Sequence, residues 1–66
     1  MQIKLNGEDF EVNDGTSLTA LIEKLGLNPK SVAVERNLEI VPKSLHAVTK
    51  LCSGDRIEIV EFVGGG

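Results

Sequence analysis

The chain has 66 residues, ten acidic side chains against seven basic ones, a net charge of -3, two phenylalanines, and neither tryptophan nor tyrosine. A chain of this length makes one small domain that buries only about 60% of its unfolded surface, too little to enclose a deep catalytic cleft. The acidic balance and shortage of aromatic rings argue against nucleic acid and favour partners with basic surfaces. The single cysteine, Cys52, excludes an internal disulfide framework, and no cysteine–histidine set has zinc spacing. No basic-then-apolar leader opens the sequence and no apolar run approaches a membrane span, so the expectation is a soluble, cytoplasmic protein.

Met1, Ile3 and Leu5 alternate with Gln2 and Lys4, the period-two pattern of a strand with one buried face. Asn6-Gly7 is the pair best suited to a two-residue turn with both residues at positive φ. Phe10 and Val12 alternate again, so the first 13 residues predict a β-hairpin. Asp14-Gly15 breaks the strand, and Thr16 or Ser17 caps a helix. Leu18, Leu21, Ile22 and Leu25 follow the i, i+3, i+4, i+7 spacing of one apolar stripe. Gly26 suits the left-handed residue that closes a helix, Leu27 folds back on the last turn, and Asn28-Pro29 prevents continuation. About two helical turns do not stand alone, so this helix must lie on a sheet.

Residues 31–35 predict a strand with Val32 and Val34 on one face. A turn over residues 36–39 and a short strand at Ile40-Val41 follow, and Pro42 places that strand at a sheet edge. Residues 43–50 read as a loop with one helical turn, on the spacing of Leu45 and Val48. Leu51 is expected in the core, Ser53-Gly54-Asp55 in a turn, and residues 56–60 in a last strand with Ile57 and Ile59 inward. The order β-β-α-β-β-β permits a right-handed crossover from the helix to a parallel neighbour. It predicts an α+β, β-grasp (ubiquitin-like) fold: a mixed five-stranded sheet packed on one main helix. Residues 1–62 form this domain, and Val63-Gly64-Gly65-Gly66 a flexible glycine-rich tail.

The sequence ends on Gly66, which sets the expectation of a free carboxylate on an arm without side chains. Four extended residues reach roughly 13 Å, at about 3.3 Å each, far enough to enter a partner's active site. By itself such an end is equally what a frayed terminus looks like. Strand alternation puts Val60 and Phe62 on the face opposite Ile57 and Ile59, where apolar groups with Val63 mark a docking site. The other reading folds Phe62 over the sheet edge as core. Arg56, Glu58 and Glu61 supply rim charges or a solvated strand face.

The remaining reactive side chains offer little. Cys52 has no basic partner nearby in the sequence and reads as inert. His46 is the only histidine, the four serines sit at turns, caps or strand starts, and Lys24, Lys43 and Lys50 read as solvated. No glycine loop before a helix would cradle phosphate, and no residue reads as catalytic or metal-binding.

Across nearly its whole length the chain resembles the ThiS family of thiamine-biosynthesis sulfur carriers. The resemblance rests on residues 1–7 (Met-Gln-Ile-Lys-Leu-Asn-Gly), Val32-Ala33-Val34-Glu35-Arg36-Asn37, Glu39-Ile40-Val41-Pro42, and residues 54–60 leading into Gly64-Gly65-Gly66. Two positions depart from the family pattern. Leu38 stands where glycine is usual, which points to a longer or different turn because leucine tolerates positive φ poorly. Cys52 stands where a polar residue is usual.

The resemblance implies a carrier protein, not an enzyme. A ubiquitin-activating-type adenylating enzyme would use ATP and Mg²⁺ to adenylate Gly66, the carrier itself binding no cofactor. A sulfur donor such as a cysteine desulfurase system would then give a C-terminal thiocarboxylate. Thiazole synthase would draw sulfur from it, with Gly64 and Gly65 threading the partner's active site. The small subunit of molybdopterin synthase shares this tail chemistry and is the neighbouring alternative. A non-covalent β-grasp interaction module, or a modifier joined to a partner's lysine, are the others.

Overall fold

A computed structural model gives the structure of the protein, and it describes residues 1–62. Strand β1 (Gln2–Leu5) and β2 (Glu8–Glu11) form the predicted hairpin. Asn6 at φ 49° and Gly7 at φ 85° make its turn, as the Asn-Gly pair requires. Helix α1 spans Leu18–Lys24. Ser17 is its N-cap, its hydroxyl accepting from the Ala20 N–H at 3.1 Å, while the Thr16 hydroxyl donates to the Asn13 carbonyl. At the other end Leu27 N–H reaches the Ile22 carbonyl at 3.1 Å and Gly26 N–H the Glu23 carbonyl at 3.0 Å. Gly26 sits at φ 75°, so the helix stops in a paired-carbonyl glycine cap. A 3-10 turn over Pro29–Ser31, capped by the Asn28 side chain, then delivers the chain to β3 (Val32–Arg36).

Strand β4 (Glu39–Val41) folds back on β3 and lies at the sheet edge, as Pro42 predicts. Its turn corrects one expectation. The Asn37-Leu38 connection is the tight two-residue form, with Asn37 at φ 53° and Leu38 at φ 73°. Leucine takes a left-handed conformation at an energetic cost instead of the turn lengthening. Leu45 and Val48 are both exposed, so their spacing marks no buried stripe; the segment holds a 3-10 turn over Lys43–Leu45 and buries His46.

Strand β5 (Arg56–Glu61) enters the middle of the sheet, giving the order β2-β1-β5-β3-β4. It runs parallel to β1 and antiparallel to β3. The parallel neighbours are therefore β1 and β5, and α1 leads instead to a strand two places from β1. Leu18, Leu21 and Ile22 bury fully against Ile3, Val32, Val34, Ile57 and Ile59 on one sheet face. Leu51 closes the same core, and Leu25, Leu27 and Phe10 pack at its margin. The segment before β5 also holds the helix start: Leu18 N–H donates to the Thr49 carbonyl and Leu51 N–H to the Thr16 carbonyl. This is the mixed five-stranded sheet on one helix that the period changes predict.

Candidate functional site

The site centres on β5, because that strand leads toward the glycine end. The four predicted tail residues, Val63, Gly64, Gly65 and Gly66, lie outside the described residues. What the structure places is the strand that presents them.

That strand is fixed along its whole length. The Lys4 N–H donates to the Asp55 carbonyl at 2.9 Å and the Asn6 N–H to the Ile57 carbonyl at 2.8 Å. Beyond the end of β1 the Asn6 side chain continues the ladder. Its Oδ1 accepts from the Ile59 N–H at 2.8 Å, and its Nδ2 lies 3.4 Å from the Ile59 carbonyl oxygen. Asn37 does the same at the other end, its Oδ1 accepting from the Arg56 N–H at 2.9 Å and its own N–H donating to the Arg56 carbonyl at 2.7 Å. Both hairpin asparagines thus serve twice, adopting positive φ and using a short amide to satisfy β5 backbone groups that no strand residue reaches. On the β3 side the last contact among the described residues is Phe62 N–H to the Ser31 carbonyl at 2.8 Å.

Asp55 anchors the start of β5. It is 6% exposed and ion-paired. Arg36 Nε donates to it at 2.9 Å, Asn37 Nδ2 at 3.1 Å and the Cys52 N–H at 2.8 Å. Burial acts to raise its pKa. The Cys52 N–H, the Asn37 and Arg36 hydrogen bonds and the Arg36 charge outweigh burial and hold the carboxyl below its ordinary value. The sequence reading placed Asp55 only in a turn. The missed signal is Arg36-Asn37 at the end of β3 beside Asp55-Arg56 at the start of antiparallel β5, where a short acid meets a guanidinium.

The outward face of β5 agrees with the predicted alternation. Val60 is 59% and Phe62 55% exposed, while Ile57 and Ile59 are buried. This overturns the reading of Phe62 as core: the helix stripe and the inward isoleucines fill that space. Arg56, Glu58 and Glu61 are exposed. Val60 lies opposite Ala33 on β3, and Glu35 lies opposite both Glu58 on β5 and Ile40 on β4.

Cys52 is an exposed free thiol, but the fold gives it a basic neighbour, Arg36 Nη2, at 3.4 Å from Sγ. The guanidinium is already committed to Asp55, and the pair joins the end of β3 to the connection before β5, 16 residues apart in sequence. His46 is buried, and its Nε2 donates to the Val41 carbonyl at 2.9 Å, a structural bond that holds the edge strand to the following turn. Among the described residues there is no group of three or more metal-ligating side chains, and no helix is long and apolar enough to cross a membrane.

Residues 3–66 match the ThiS family model. The chain is 43% identical over 65 residues to the sulfur carrier protein ThiS of Bacillus subtilis, covering 97% of this chain and 98% of that one. It is 47% identical over its whole length to part of the thiazole synthase of Paramagnetospirillum magneticum, and spans 20% of that protein's length. The crystal structure of the thiamine biosynthesis protein ThiS from Geobacter metallireducens superposes with a TM-score of 0.85 at 29% identity, covering both chains completely.

Proposed function

This chain belongs to the ThiS family, and we propose that it serves thiamine biosynthesis as a sulfur carrier through a thiocarboxylate formed at Gly66. The observation that carries the proposal is a family match that runs from residue 3 through the glycine end, with a small sulfur carrier matched along nearly its full length. The described part of the chain, residues 1–62, supports the same division of labour. Its two buried polar side chains among the described residues are engaged structurally, Asp55 at the start of β5 and His46 on the Val41 carbonyl of β4.

A carboxylate resists nucleophiles because it is negatively charged and oxide leaves poorly. Joined to AMP as a mixed anhydride, with pyrophosphate leaving ATP, the Gly66 carbonyl becomes an acceptor; a persulfide sulfur displaces AMP to give an acyl disulfide, and a second thiol attacks the donor's sulfur, forming a new disulfide and releasing the thiocarboxylate. The adenylating enzyme supplies ATP, Mg²⁺ and the phosphate-binding groups, and a cysteine desulfurase system supplies the sulfur. Thiazole synthase then takes sulfur from the carrier. Gly64 and Gly65 carry no side chain, which suits passage through a narrow channel where a methyl group would clash. Val60 and Phe62, with Val63, form the apolar approach to that channel.

Intact mass tests this directly. After incubation with the adenylating enzyme, ATP and a sulfur source, the chain should gain the mass difference between one sulfur and one oxygen. Deletion of Gly66 should abolish the gain and leave the circular dichroism and melting curve unchanged. A truncated chain that still gained sulfur would overturn the reading.

A further inference from the structure

Strand β5 outruns its parallel neighbour. It pairs with β1 only through Lys4–Arg56 and Leu5–Ile57, and the last backbone bond between them is Asn6 N–H to the Ile57 carbonyl at 2.8 Å. There the chain turns away, with Asn6 at φ 49° and Gly7 at φ 85°, while β5 continues to Glu61. The Asn6 side chain adds one more rung: its Oδ1 accepts from the Ile59 N–H at 2.8 Å and its Nδ2 lies 3.4 Å from the Ile59 carbonyl oxygen. A primary amide offers a donor and an acceptor in one plane, as a peptide group does. Aspartate lacks the donor, glutamine is a methylene longer, and glycine takes this φ freely but has neither group.

The rung sits where the direction of the strand is decided. On the β3 flank β5 is held as far as Phe62, through the Ser31 carbonyl. On the β1 flank Ile59 is the last residue held among the described residues, and a side chain holds it. A strand bonded on one flank only relaxes toward the larger twist of a two-stranded ribbon, a change of about 10°. From Ile59 to Phe62 the chain runs about 10 Å, so such a swing carries Phe62 about 2 Å sideways. A misplacement of about 1 Å at reacting groups costs about a hundredfold in rate.

We propose that Asn6 is a positioning residue of the carrier reaction: its amide sets the line along which β5 leaves the sheet, and with it how often the Gly66 carboxylate meets the adenylating enzyme's nucleotide in a productive pose. The proposal rests on the sulfur-carrier reading and adds to it a residue that acts through Ile59 and takes no part in the chemistry.

Pyrophosphate exchange by the adenylating enzyme of the same organism, with the full chain as varied substrate, separates kcat from KM. Asn6→Gly keeps the turn and removes the rung. Because β3 still holds one flank, kcat should fall about tenfold while KM stays within about twofold. Asn6→Asp keeps the Ile59 acceptor and should lie between Asn6→Gly and wild type. Ser17→Ala lowers stability by uncapping α1 without touching β5, and should turn over like wild type. Nitrogen–proton correlation spectra establish that each variant is folded, and residual dipolar couplings of the Val60, Glu61 and Phe62 N–H groups should show reorientation in Asn6→Gly. Wild-type kcat or unchanged couplings in Asn6→Gly would overturn the positioning role and leave the carrier reading intact. So would an equal loss in Ser17→Ala, a loss carried by KM, or Asn6→Asp as slow as Asn6→Gly. No exchange with the wild-type chain would strike the carrier reading, and the role of Asn6 falls with it.

Discussion

Asp55→Ala removes a carboxylate that receives three donors at 2.8–3.1 Å from Arg36, Asn37 and the Cys52 N–H. Hydrogen bonds to a charged group contribute about 1.5–3 kcal/mol each, and a buried donor left unmade adds its desolvation cost. Not all of that is lost. The Arg36 side chain remains 29% exposed, so water takes back part of its bonding. A net loss of about 2–4 kcal/mol follows. Against a total of about 3–10 kcal/mol for 66 residues, this is a large fraction. At about 4–8 °C per kcal/mol for a domain this small, the melting temperature should fall by roughly 10–25 °C. Differential scanning calorimetry at pH 7 measures it. The pH dependence supplies a second reading. Because the folded pKa is lowered, the unfolded carboxyl binds its proton first as pH falls. The Asp55 contribution is complete above about pH 4, the unfolded value, and disappears as pH drops through the folded one. The gap between wild type and Asp55→Ala should therefore narrow on acidification. A variant melting within about 2 °C of wild type at pH 7 would refute the anchoring role of this network.

Three further substitutions bear on the fold. Leu38→Gly relieves a left-handed leucine worth about 1–2 kcal/mol and restores unfolded-chain entropy of about 0.5–1 kcal/mol, so it should stabilise by about 0.5–1 kcal/mol in urea titration. Asn6→Gly keeps the turn but orphans the Ile59 N–H, and should destabilise by about 1–2 kcal/mol with faster amide exchange at Ile59. Leu21→Ala truncates a fully buried helix residue and should remove about 2–5 kcal/mol, enough to leave the chain partly unfolded at 37 °C by circular dichroism.

What the sequence made legible were the features set by near neighbours. Asn6-Gly7, the Leu18-Leu21-Ile22 stripe, Gly26 and Pro42 each act within a few residues, and each stands where expected. The outward placement of Val60 and Phe62 follows from period two alone. What escaped notice joins distant residues. Asn6 and Ile59 are 53 residues apart and Asn37 and Asp55 18 apart, so no local pattern discloses that hairpin amides clamp the last strand. His46 is buried for the same reason: its partner is a carbonyl of the edge strand, not a second ligand. Leu38 departs from expectation in the opposite direction: the local penalty of about 1–2 kcal/mol against a left-handed leucine is overridden by the β3–β4 register and the Asn37 bonds to β5, which hold the two-residue turn.

The position of β5 has a mechanical consequence. A pull on its C-terminal end acts along a strand paired on both flanks, parallel to β1 and antiparallel to β3. Force in that direction loads the inter-strand bonds of both flanks together in shear, whereas an edge strand such as β4 has a neighbour on one flank only to share the load. Were the glycine end drawn into a partner's channel, as proposed, the load would fall on a strand with neighbours on both flanks and would pass into the sheet through both of them.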